Sequence, residues 1–110
     1  MTKKTVLIDL DGVLNTYNGN FEDDFIPDIK DGALEFLRLL SKDYIIKLFT
    51  ARNSKLVKIW IKKNNISGYI SGITNIKEPA FLILDDRCIK FEGDYVKALD
   101  AIKSFKVWYK

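Results

Sequence analysis

The sequence predicts a three-layer, Rossmann-like α/β domain built on a mainly parallel sheet. Three observations point there. Short apolar runs alternate with stretches of helical periodicity along the chain. Apart from Asp9, the runs at residues 6–10 and 81–84 are apolar throughout, as strands buried on both faces of a parallel sheet are. The strongest runs end in polar residues, namely Asp9 and Asp11, then Thr50, then Asp85 and Asp86. In open α/β sheets such strand ends converge on one ligand crevice.

Taken in order, residues 6–10 read as the first strand. Residues 15–30 are polar and turn-rich, with Gly19 and Pro27, and form a loop whose 15–24 portion is placed to act as a small flap. Its Glu22-Asp23-Asp24 run reads as a solvated face. Ala33, Leu34, Phe36, Leu37, Leu39 and Leu40 recur at helical spacing, with Asp31 as the expected N-cap. Residues 44–49 form a second apolar strand. Asn53 or Ser54 caps a second helix carrying Leu56, Val57, Ile59, Trp60 and Ile61, which stops at Lys62-Lys63-Asn64-Asn65. A short third strand is expected at 69–73 and a fourth at 81–84. Residues 89–91 extend the sheet, 95–102 form a helix, and 106–109 a last strand. Phe36, Phe49, Trp60 and Phe81 fall in apolar patterns and read as core.

Composition narrows the chemistry. The 110 residues suit one domain, 1–110, with a core large enough to need no disulfide or zinc. A net charge of +3 favours anionic substrates; nucleic acid remains open but charge alone does not indicate it. The lone Cys88 has no disulfide partner, fits a reducing cytoplasm, and reads as an inert core or helix-edge residue. No apolar stretch reaches the length of a membrane span or a signal peptide, so no membrane association is expected. The sequence has no His, and with a single Cys no zinc site is expected. Any metal must be held by oxygen, which points to Mg2+.

The first strand end carries the sharpest signal. Asp9 and Asp11 are spaced i, i+2, so on a strand they project to the same side. Gly12 follows at once and lets the chain turn with its backbone open to a ligand. Two carboxylates in one crevice repel unless a cation lies between them or one holds a proton. With Thr50, Lys77, Asp85 and Asp86, the set can bind a divalent cation and phosphoryl oxygens, and one carboxylate can attack phosphorus.

At these residues the chain resembles the haloacid dehalogenase-like superfamily, whose members are mostly phosphatases. Asp9-Leu-Asp11-Gly12-Val-Leu14 is similar to its first motif, Leu48-Phe-Thr50-Ala51-Arg52 to its second, Lys77 to its third and Leu82-Ile-Leu84-Asp85-Asp86 to its fourth. Residues 26–37 resemble the stretch leading into the family's first helix. The resemblance implies a magnesium-dependent phosphoester hydrolase. Asp9 would be the nucleophile, and Asp11 would protonate the leaving oxygen and later deprotonate water. Thr50, Ala51 and Lys77 would receive phosphoryl oxygens, and Arg52 would grip an anionic group of the substrate. Mg2+ would be held by Asp9, the main-chain carbonyl of Asp11 and Asp85, with Asp86 a further ligand or the partner orienting Lys77. An acid/base residue two positions after the nucleophile favours phosphoester over carbon–halogen chemistry.

Only 38 residues separate Asp11 from Thr50 and 26 separate Thr50 from Lys77, which leaves no room for a cap domain. An uncapped crevice suits a large substrate, such as a phosphorylated polymer end or a protein, or closure by a partner copy in a homo-oligomer. Nucleotide, sugar phosphate, polynucleotide 3′-phosphate and phosphoprotein all remain open as substrates. Two other classes share the pattern. A receiver-like signalling module also puts acidic residues, Thr and Lys at strand ends, but it needs the phosphoacceptor after the third strand and Lys after the fifth, whereas here no aspartate follows the 69–73 strand and Lys77 precedes the strand that ends in Asp85-Asp86. A non-catalytic phosphate-binding module would keep the fold without turnover.

Overall fold

The computed structural model describes residues 2–109 and contains four strands and three helices. The order is β1 (Lys4–Asp9), α1 (Ala33–Leu40), β2 (Tyr44–Phe49), α2 (Ser54–Lys63), β3 (Gly72–Thr74), β4 (Leu82–Leu84) and α3 (Tyr95–Ser104). All strand pairs are parallel, in the spatial order β3-β2-β1-β4. This is an α/β fold of the Rossmann-like three-layer type.

β1 is an inner strand, with β2 on one side and β4 on the other, which explains its unbroken apolar run. Leu7 and Ile8 are fully buried. Val6 and Ile8 lie on one face, opposite Ile46 and Leu48 in the β1–β2 register. These four pack with Ala33 and Leu37 of α1 and Val57, Trp60 and Ile61 of α2. The chain steps from β1 to β2 to β3 in one direction, so right-handed crossovers put both helices over the same face. The next step returns past β1 to β4. The strand order therefore reverses between β1 and β4, and a crevice opens at that point.

The helix ends show which local signals prevail. α2 is capped as its sequence predicts: the Asn53 side chain accepts from the backbone N–H of Lys55 at 2.9 Å and of Leu56 at 3.3 Å. Its exit is as expected too, with Asn64 as C-cap and Asn65 in the left-handed region at φ 58°. α3 is capped in the same manner by Asp94. α1 differs. Its N-cap is Gly32, at φ 89°, and not Asp31, and no side chain caps it. The left-handed turn needed to enter the helix falls on the glycine, which carries no Cβ penalty there.

Two expected strands are absent. Residues 89–91 are not in the sheet, because the chain bends away directly after β4: the Asp85 carboxylate accepts from Arg87 N–H at 2.9 Å, and the Cys88 thiol lies 3.3 Å from the Asp85 carbonyl. Residues 106–109 form no strand either. The polar tips of Trp108 and Tyr109 bond instead to Gly12 and Arg87. β3 is shorter than the 69–73 reading and lies a little later.

The aromatic core reading holds for Trp60, which is 6% exposed, and fails for Phe36 and Phe81, which are 39% and 52% exposed. Phe81 instead stacks on Tyr44 beside the sheet edge, at 6.1 Å between ring centres. Cys88 is exposed rather than a core residue. Between β1 and α1 the described chain makes only one isolated bridge, Asn15 to Ile29, and no added domain. Among the described residues no helix is long and apolar enough to cross a membrane.

The Asn53 cap can be isolated from the rest of the fold. Asn53→Ala removes the acceptor for two orphan N–H groups and should lower stability by about 1 kcal/mol. Urea unfolding should report this as a lower midpoint at unchanged slope.

Candidate active site at the reversal of strand order

The parallel registers fix what meets at the end of β1. Asp9 pairs with Phe49, so Thr50 lies one residue beyond, on the β2 side. Ile8 pairs with Leu84, so Asp85 and Asp86 follow on the β4 side. The carboxylates of Asp9, Asp85 and Asp86 each offer an oxygen within 4.8 Å of the others. Together with Asp11, Thr50, Ala51 and Arg52 they line a cleft of about 310 Å³, whose remaining wall is Tyr17, Phe21 and Arg87. That volume is at the lower end for small-molecule sites.

The acidic cluster is electrostatically crowded. Burial first, and then the charges of Asp85, Asp86 and Asp11, push the Asp9 carboxyl up from the ordinary 3.8 to about 8. Asp86 is raised as well, again by burial first and then by Asp85. One Asp86 oxygen, Oδ2, is buried with no hydrogen-bond partner. A Cβ at residue 12 would collide with that same carboxylate, and Gly12 has φ 84°, so only glycine lets the backbone pass so close. An unpartnered buried oxygen, three converging carboxylates and an all-oxygen donor set fit a hard divalent cation. Asp9, Asp85 and Asp86 are the side chains able to hold it.

Asp11 has different surroundings. Arg52 Nε donates to both its oxygens, at 2.8 and 3.1 Å, and Asn15 Nδ2 donates to Oδ1 at 3.0 Å. The Arg52 side chain is only 2% exposed. Its Nη1 donates to the carbonyls of Glu22 and Phe25 at 2.8 and 3.1 Å, and its face lies 4.5 Å from the centre of the Phe21 ring. Arg52 thus lines the cleft while binding Asp11 and the 15–30 loop together. Only Nη2 is without a partner, and it is buried. Nε and Nη1 thus anchor Asp11 and the loop, while Nη2 remains uncommitted on a residue that lines the cleft. Thr50 is buried at the cleft, and its hydroxyl oxygen accepts from Arg52 N–H at 3.2 Å. Its own O–H proton is free to point into the cleft.

Lys77 is the one candidate that the structure does not bring to the cleft. It lines a separate hollow with Glu78, Pro79 and Phe81. The cause is the path of the chain. From Thr74, level with Phe49, the chain runs back to Leu82, level with Val6. Glu78 is pinned partway along this path by Lys47 at 2.8 Å. Lys77 is held beside it, away from the strand ends.

Several site residues escape a sequence reading. Asn15 is fully buried, and its Oδ1 accepts from the backbone N–H of Gly12 at 3.1 Å and of Tyr17 at 3.0 Å. The Asp-Gly-x-x-Asn spacing after a strand is the signal that could have found it, since Asn side chains cap nearby backbone in this way. Arg87, Tyr17 and Phe21 had no such signal, because only the tertiary fold brings them to the cleft.

No family model matches the chain, and no curated protein matches it. Among solved structures, the chain is similar to a conserved protein from Bacteroides thetaiotaomicron, with a TM-score of 0.62 and 21% identity, over 97% of this chain and 95% of that one. At this level of identity the likeness supports the shared fold.

The crowding at Asp9 has a measurable sign. Between 3.8 and about 8 the folded chain holds a proton on Asp9 that the unfolded chain releases, so without a cation stability falls as pH rises through that window. In chelator, the melting temperature should drop from about pH 4 to about pH 8, and Asp9→Asn should flatten much of that slope. Asp86 contributes in the same direction, so some slope persists in the variant. Millimolar magnesium should raise the melting temperature more at the alkaline end. A slope identical in wild type and variant would mean that Asp9 does not carry it.

Proposed function

We propose that the protein is a magnesium-dependent phosphoester hydrolase that works through an aspartyl-phosphate on Asp9, in the manner of haloacid dehalogenase-like phosphatases. The observation that carries this reading is the meeting of Asp9 with Asp85 and Asp86 within 4.8 Å, in a cleft that also holds Asp11 and Thr50. The order of these residues along the strands is the order that the resemblance implies.

In this reading an Asp9 oxygen attacks phosphorus and the bond to the leaving oxygen breaks. Asp11 gives that oxygen a proton. Water then attacks the aspartyl-phosphate, its proton passes to Asp11, and the Asp9–phosphorus bond breaks to release inorganic phosphate. Bound to Asp9, Asp85 and Asp86, with the Asp11 carbonyl as a further expected ligand, Mg2+ would offset the charge shared by the carboxylates and an anionic phosphate. Thr50 and Ala51 face the transferring group. Lys77 has no contact role in this reading, because it lines a different hollow.

Arg52 and Asn15 orient Asp11 by three hydrogen bonds. To act as the acid, Asp11 must be protonated on an oxygen that Arg52 leaves or shares. This tight embrace favours one second reading, a phosphate-binding module without turnover. Hydrolysis of a generic phosphoester separates the two.

Asp9→Asn should abolish hydrolysis while leaving the fold intact, and wild-type activity should vanish in chelator and return with magnesium. Turnover in the Asn variant at the wild-type rate would remove Asp9 as the nucleophile.

Asp11→Asn should divide substrates by leaving group. With an activated aryl phosphate the leaving group needs no proton, so the aspartyl-phosphate should form and then persist, because general-base help worth about 10²- to 10⁴-fold is gone. With an alkyl phosphate the first step should fail as well. Rapid-quench labelling reads both. An equal loss of phosphorylation rate for the two leaving groups would make Asp11 a structural residue only.

A further inference from the structure

The outer half of the cleft has a chemistry of its own. Beyond the carboxylates, its wall is two aromatic rings and one guanidinium: Tyr17, Phe21 and Arg87. Phe21 rests one ring face on Arg52 and is 53% exposed. The end of the chain ties the other two together. Tyr109 accepts from Arg87 Nη2 at 2.7 Å and meets the Tyr17 ring edge-on, at 6.1 Å between centres and 82° between planes. Trp108 fastens this end in turn. Its indole N–H donates to the Gly12 carbonyl at 2.8 Å, and the Lys30 ammonium lies 3.7 Å from the centre of its ring. So Tyr17, from the loop after β1, and Arg87, from the turn after β4, are held on one rim by a segment distant from both in sequence. Among the described residues there is no cap domain, and this segment braces two residues of the cleft wall without lining the cleft itself.

Flat π-rich walls select flat π-rich ligands. A ring stacked on tyrosine or phenylalanine gains affinity that a saturated sugar does not, and guanidinium stacks on rings or donates to acceptors at their edges. The lining has no carboxamide, and its carboxylates are the acidic cluster itself and Asp11, which Arg52 and Asn15 already engage. A cleft of about 310 Å³ also limits the ligand to one small unit.

We propose that Tyr17, Phe21 and Arg87 form a subsite for a nucleobase, and that the substrate is a mononucleotide whose phosphate lies at Asp9. This assignment rests on the hydrolase reading for the phosphate end and on the rim alone for the base.

The test compares adenosine 5′-monophosphate with ribose 5-phosphate, both with magnesium. Binding is measured by calorimetry on the Asp9→Asn protein, and turnover on wild type. The nucleotide should bind about ten-fold more tightly or better. Tyr17→Leu and Phe21→Leu should each narrow that gap, and together they should close it. Tyr17→Phe, which keeps the ring, should preserve it, and near-UV circular dichroism establishes that each variant is folded. Equal affinity for the two ligands, binding of neither, or a gap that survives in the folded double variant overturns the subsite. The two readings fail separately. If the nucleotide and free adenosine bind through the rings but no phosphoester is hydrolysed, the subsite stands and the hydrolase reading falls. If ribose 5-phosphate is hydrolysed as efficiently as the nucleotide, the hydrolase reading stands and the subsite falls.

Discussion

The double-sided parallel pairing of β1 is the constraint on which the site depends. With β2 on one side and β4 on the other, the end of β1 cannot shift without breaking two ladders. That pairing brings Asp85 and Asp86 to Asp9 and Thr50 to the opposite flank. Mutual repulsion of the acidic groups opposes this arrangement, and hydrophobic burial of Val6, Leu7 and Ile8 against the neighbouring strands and helices maintains it. The apolar body of the sheet thus holds the acidic end in a conformation that isolated carboxylates would not adopt.

Around this end the fold sorts its charges by partner. Asp11 is fully engaged by Arg52 and Asn15, whereas Asp86 keeps an unpartnered buried oxygen. Neighbouring carboxylates in one cleft therefore have different environments, one held by the fixed donors of two side chains and the other short of them. Such a division is how one site keeps groups for different tasks. Arg52 also couples the cleft to its own rim. Through the Glu22 and Phe25 carbonyls it sets the position of the loop that carries Tyr17 and Phe21.

The backbone of this arrangement was legible in the sequence because it depends on local pattern. The apolar runs of β1 and β4 and the acidic residues at their ends identified Asp9 and Asp85, and Asn53 announced α2 by its capping chemistry. What depends on tertiary path was not legible. Lys77 has the right place in the order of motifs, yet the run back from β3 to β4 carries it along the sheet and off the cleft. Residues 106–109 have strand-like composition, but their polar tips found partners on the loop after β1 and the turn after β4. Asp31 was a sound cap by type and lost to Gly32 because the chain enters α1 through a left-handed turn. Arg87 and Tyr17 are ordinary in the sequence and acquire their neighbours only through folding.

The pairing of Ile8 with Leu84 also bears on the order in which the molecule is built. β1, α1 and β2 are neighbours along the chain and can assemble early from contacts of modest separation. The β1–β4 ladder joins opposite ends of the sequence, and closing so long a loop is entropically slow. Asp9 acquires Asp85 and Asp86 only at that step. A chain emerging from the ribosome therefore carries Asp9 long before it carries Asp85 and Asp86, and partly folded forms lack the full acidic cluster. The crowded acidic cluster is in this way reserved for the finished fold.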